Sequence, residues 1–121
     1  MTETQYLLTC LAEECAEVAQ RASKAIRFGL GEIQPGQELN NAERIMVEYG
    51  DLQGVIDMLQ ASQLLPPAYP NQSFEKMAKV RKYMAYSRSL GVMETSSDPL
   101  LEAKNENFEG VKSPKEITNN E

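Results

Sequence analysis

The sequence predicts an all-α fold, a helical bundle of three main helices. Apolar residues recur three and four apart over long stretches, no alternating β-type segment of useful length occurs, and the breaks coincide with glycine and proline clusters. With 121 residues, 41% of them apolar, the chain suits one modest core. Three helices with apolar residues on opposed sides do not close a core alone. The pattern therefore predicts a four-helix core completed by oligomerisation, as a homodimer or a dimer of dimers.

The first helix is expected over Glu3–Phe28, with Leu8, Leu11, Cys15, Val18, Ala22 and Ala25 forming its apolar stripe. Thr2 with Gln5 three residues later reads as a capping box, and Phe28-Gly29 as a stop. The stretch GLGEIQPGQEL, with three glycines and a proline, is a loop. Asn40 followed by Glu43 marks the second start. That helix runs to about Gln63 on a face of Ile45, Leu52, Val55, Ile56 and Leu59. The prolines of LLPPAYPNQ demand a turn. A third helix begins near Ser73 and ends at Ser89, with Phe74, Met77, Ala78, Met84 and Ala85 on one side and Gly91 as terminator. Residues 1–90 thus read as one helical domain and residues 91–121 as a polar tail, with a short helix over Pro99–Asn107.

The formal charge of −6 is concentrated in that tail: residues 1–90 carry eleven acids and nine bases, residues 91–121 seven acids and three bases. Without a basic tract, a nucleic-acid duplex is excluded as a partner, because phosphate contacts need clustered Lys and Arg. The sequence contains no histidine, which removes Ser-His-Asp and Cys-His schemes and most zinc sites. Cys10 and Cys15 lie five apart on one helix, too poorly aligned for a bridge, and read as buried free thiols of a reducing compartment. The N-terminal MTETQYLLTC lacks a basic stretch leading into an apolar core, and no run approaches the roughly 20 apolar residues of a span. These features predict a cytoplasmic protein with no membrane segment.

The informative acids are paired. EECAE places three carboxylates in five residues: on a helical wheel Glu14 and Glu17 lie on one flank of the apolar stripe, while Glu13 points away. In VEYGD, Glu48 falls inside the aliphatic face of the second helix and Asp51 on its flank. Asp57 falls on the opposite side, with Gln53 and Gln60, as an ordinary surface acid does. Antiparallel packing would let Glu14, Glu17, Glu48 and Asp51 converge, and four like charges in a partly covered site need a counter-ion. Oxygen-only donors select Mg²⁺ or Mn²⁺. The competing reading is ordinary ion pairing, since Arg21 lies between Glu14 and Glu17 on the wheel and Arg44 between Glu48 and Asp51.

Together, LAEECAEVAQRASKAIRFG and VEYGDLQGVIDML resemble the EExxE and ExxD helices of the MazG-like, all-α nucleotide pyrophosphohydrolases, over about residues 5–90. The resemblance implies metal ligation and catalysis by Glu14, Glu17, Glu48 and Asp51, with Glu13 in support. It also implies Mg²⁺-dependent hydrolysis of a nucleoside triphosphate to the monophosphate and pyrophosphate. The third helix, EKMAKVRKYMAYSR, looks like the family's Lys-rich closing helix, with Lys76, Lys79 and Arg81 as the candidate phosphate contacts and Lys82 beside them. Val80 departs from the pattern, standing where related members place an asparagine four residues after the lysine. Phe28, Tyr49 and Tyr6 are candidates for base stacking, against a plain core role. The alternative to an enzyme is a non-catalytic oligomerisation or adaptor module whose acids pair with Arg21 and Arg44.

Overall fold

The computed structural model describes residues 1–95 and is all-α: α1 (Glu3–Phe28), α2 (Asn41–Ala61) and α3 (Gln72–Ser89). The expected short helix over Pro99–Asn107 and nearly all of the acidic tail lie outside the described residues. Among the described residues the only β-type pairing is an isolated antiparallel bridge between Ile33 and Asn40 in the α1–α2 loop. Contacts divide the chain into two units, Met1–Pro67 and the part beginning at Ala68.

In the first unit both helices start at the expected caps. Gln5 N donates to Thr2 Oγ1 (3.1 Å) and Thr2 N to Gln5 Oε1 (2.9 Å). Glu43 N likewise donates to Asn40 Oδ1 (2.8 Å) and Asn40 N to Glu43 Oε1 (3.2 Å). Each box satisfies two otherwise orphaned backbone donors, stabilising its helix by about 1 kcal/mol. α2 ends two residues before the expected Gln63, in a Schellman turn. Gln63 takes the left-handed conformation (φ 58°), and its N donates to Gln60 O (2.9 Å) while Leu64 N donates to Leu59 O (2.9 Å).

α1 and α2 pack against each other. Asn41 bonds back to Gly29, Arg21 reaches Glu48, and Glu14 meets Asp51, so contacts move up one helix as they move down the other. The pair is antiparallel.

The covered stripe of α1 differs from the expected one. Leu8 is 46% exposed and Cys15 and Ala22 are exposed, whereas Leu7, Leu11, Glu14, Val18, Arg21 and Ala25 are buried or half-buried. The stripe is turned by about half a residue step from the apolar pattern, which moves Glu14 from the flank to the middle. Both cysteines are free, as expected, but Cys15 is exposed rather than buried.

Side-chain burial is sparse. Leu7 and Leu59 are the fully covered apolar residues among those described, and Asn41 is a buried polar one. α2 is apolar on both sides: Ile45, Leu52, Val55 and Ile56 are half-covered, while Met46, Val47 and Met58 face solvent. No described helix is long and apolar enough to cross a membrane.

In the second unit, α3 closes at Gly91 as the sequence predicts. Gly91 has a φ of 74°, with Gly91 N donating to Arg88 O (3.0 Å) and Val92 N to Ser87 O (3.2 Å). A residue with a Cβ would be strained at this φ.

Candidate metal centre

Three of the four acids singled out from sequence come together. Glu14 from α1 and Glu48 and Asp51 from α2 each offer a carboxylate oxygen, and these oxygens lie within 4.8 Å of one another. Glu14 and Glu48 are half-buried and Asp51 is exposed. Glu17 is half-buried, one turn along α1, outside this group of three. Glu13 is exposed, as its place on the wheel requires. Asp57 is exposed and accepts from Gln53 Nε2 (2.9 Å), the behaviour of a surface acid.

The local sequence explains the geometry. Spacing of three on α2 places Glu48 and Asp51 on neighbouring positions of one face, and the turned stripe of α1 brings Glu14 opposite them. Glu14 shows the electrostatic consequence: its carboxyl is pushed above its ordinary value of 4.5, first by desolvation and then by the negative charges of Asp51, Glu48, Glu17 and Glu13. A raised folded-state value means that the folded chain holds this proton more tightly than the unfolded chain. Glu14 therefore contributes stability below its ordinary value of 4.5, and that contribution is lost as pH rises through the raised value. In metal-free buffer, Glu14→Gln is expected to be more stable than the wild type at neutral pH, with the difference closing as pH falls toward 4.5. Urea midpoints of both proteins from pH 4 to pH 7 measure this; a gap independent of pH refutes it.

The positive charges are arranged differently from the local pairing considered above. Arg21 reaches across the hairpin to Glu48 (Nε–Oε1 3.5 Å), with only 13% and 15% of the two side chains exposed. Its Nη1 is buried and has no hydrogen-bond partner. Arg44 donates to Gln34 Oε1 (3.0 Å) in the loop instead of joining Glu48 and Asp51. The cross-helix role of Arg21 is not evident from its immediate neighbours; its i, i+3, i+4 relation to Leu7, Leu11, Glu14 and Val18 is the signal that places it on the covered side.

The donor set fits a hard divalent cation. It consists of carboxylate oxygens alone, three negative charges stand against one nearby guanidinium, and small side-chain rotations suffice to gather oxygens 4.8 Å apart. Lys76, Lys79 and Arg81 belong to α3 in the second unit, where Lys76 is exposed and Lys79 and Arg81 are half-buried; Lys82 is exposed. Arg88 on the same helix donates to Glu94 O (3.0 Å).

Of the candidate stacking residues, Tyr6, Phe28 and Tyr49 are all more than half exposed, so none is a core residue of the single chain. Arg27 lies 5.2 Å from the Phe28 ring centroid, a cation–π contact. A cavity of about 210 Å³ at the loop end of the first unit is lined by Lys24, Phe28, Glu32, Gln34, Pro35 and Asn41. Comparisons of the chain with protein-family models, with curated proteins and with solved structures returned no match.

Proposed function

We propose that the protein is a Mg²⁺-dependent nucleoside triphosphate pyrophosphohydrolase, converting an NTP or dNTP to the monophosphate and pyrophosphate. The observation that carries the reading is the convergence of Glu14, Glu48 and Asp51 from two antiparallel helices on one half-covered spot. The motif resemblance of EECAE and VEYGD to the MazG-like enzymes supports the reaction class. Together they suit housecleaning of non-standard nucleotides or control of a nucleotide pool.

In this reading Glu14, Glu48 and Asp51 hold the cation, Mg²⁺ or Mn²⁺. When bound, it supplies Lewis-acid neutralisation of the charge on the phosphate oxygens. Glu17, one turn from Glu14 and outside the group of three, orients the attacking water and accepts its proton. The water oxygen bonds to phosphorus and the α–β bridging bond breaks, with pyrophosphate as the other product. The motif resemblance assigns phosphate binding to Lys76, Lys79 and Arg81 of α3.

The assembly proposed is a homodimer or dimer of dimers. Support comes from the large apolar side chains that one chain leaves exposed, Met46, Val47 and Met58 on α2 and Phe74 and Met77 on α3 among them. Sedimentation over a hundredfold range of protein concentration is expected to give a dimer or larger species; a monomer throughout refutes the assembly.

The second reading, a non-catalytic oligomerisation module, draws on the Arg21–Glu48 pair, which meets part of the acidic charge without any metal. The two readings separate in a pyrophosphate-release assay over canonical and modified NTPs and dNTPs with Mg²⁺ or Mn²⁺. Monophosphate and pyrophosphate in equal amounts, lost in Glu48→Gln, support the enzyme. Silence across the panel with no thermal shift from either metal supports the module, for which Glu48→Leu would be destabilising, because it leaves the Arg21 guanidinium covered without its carboxylate.

A further inference from the structure

We infer that Arg21 is the resident cation of the acidic group: it holds Glu48 in the metal-free protein and competes with a divalent ion for that carboxylate. The inference rests on the reading of Glu14, Glu48 and Asp51 as a metal site and adds a residue that sets the site's affinity.

Three observations carry it. Arg21 lies on the covered stripe of α1, seven residues and two turns from Glu14, and reaches a carboxylate of the opposite helix rather than a neighbour on its own. The contact is a single one from Nε at 3.5 Å, longer than the roughly 2.7–2.9 Å of a committed charge-assisted bond and lacking the two parallel bonds of an Arg–carboxylate fork. Nη1 is buried without a partner. A guanidinium whose donors are poorly satisfied, yet which is held against an acid, is there mainly for its charge.

That charge has opposite effects on two measurable quantities. In the metal-free chain it offsets repulsion among Glu14, Glu48 and Asp51, so removing it lowers stability. Toward an incoming divalent cation it is repulsive, and in a half-buried site such repulsion is weakly screened, so removing it raises metal affinity. A purely structural ion pair would affect stability without tightening metal binding. The result is a site whose metal affinity lies below what its three carboxylates alone would reach.

The test is calorimetric titration of Mg²⁺ and Mn²⁺ into the full chain as wild type, Arg21→Gln and Arg21→Lys, with melting of each in chelator. Arg21→Gln is expected to bind Mn²⁺ roughly tenfold or more tighter than wild type while melting lower without metal. Arg21→Lys, which keeps the charge, is expected to stay near wild type in affinity. If Arg21→Gln binds no tighter while wild type does bind metal, the inference is overturned and the metal site stands. If no form binds either ion, both fall. Should Arg21→Gln not fold, the Arg21 Nε–H resonance of the wild type decides: it is expected to move on saturation with Mg²⁺, and an unmoved signal overturns the inference.

Discussion

Under the proposed pyrophosphohydrolase activity, Glu48→Gln is expected to lower turnover of the preferred triphosphate by about a hundredfold or more, with the helical fold retained. The substitution keeps size and one carbonyl oxygen, so the packing of α2 around a side chain only 15% exposed is preserved. What disappears is one of the three negative charges gathered at the proposed metal site between α1 and α2. The remaining carboxylates, Glu14 and Asp51, then face the cation with Arg21 still beside them, so electrostatic attraction falls more than the loss of one ligand alone would cause. Steady-state kinetics with and without excess Mn²⁺ measure the effect, and circular dichroism checks the fold. A variant within about tenfold of wild type at saturating metal would remove Glu48 from the reaction.

Asn41→Ala is expected to destabilise the protein by about 2–4 kcal/mol. Asn41 is 2% exposed, and its Nδ2 donates both to Gly29 O (2.8 Å) and to the Glu32 carboxylate (2.8 Å). Its own N donates to Glu32 O (3.1 Å), and Ala42 N donates to Leu30 O (3.0 Å). These bonds fasten the start of α2 to the end of α1. Alanine leaves the half-buried Glu32 carboxylate without this donor and the Gly29 carbonyl with only the longer bond from Glu32 N (3.5 Å), and an unmet polar group costs more than a hydrogen bond gains. Urea unfolding of the variant measures the loss; a change below about 0.5 kcal/mol would mean that water replaces Asn41 at no cost.

Legibility differed with the kind of interaction. The capping boxes at Thr2–Gln5 and Asn40–Glu43, and the glycine stop at Gly91, are contacts among residues three to five apart, and they could be read from the chain because backbone geometry alone sets them. The Gln63 turn was less legible: the periodic pattern runs past the residue that ends α2, and a glutamine does not advertise a left-handed conformation. Asn41 was invisible beside Asn40. Two adjacent asparagines look alike in sequence, yet one caps a helix and the other fastens a loop nine and twelve residues back.

By itself, then, the sequence determined an all-α chain, the capped starts of α1 and α2, the glycine stop of α3, and a short set of acids that ordinary helical patterning leaves unexplained. Periodicity assigns a residue to a face only to within about one position, because a 3.6-residue repeat samples the circumference coarsely. Tertiary packing decided what lies inside that margin. Turning α1 by half a step brought Glu14 to Glu48 and Asp51 and left Glu17 outside the group. The same packing gave Arg21 to Glu48 across the hairpin, while Arg44 went to Gln34 in the loop. The reason is that the rotation and register of two packed helices follow from how all their side chains interlock, and no local window of sequence contains both halves of that contact.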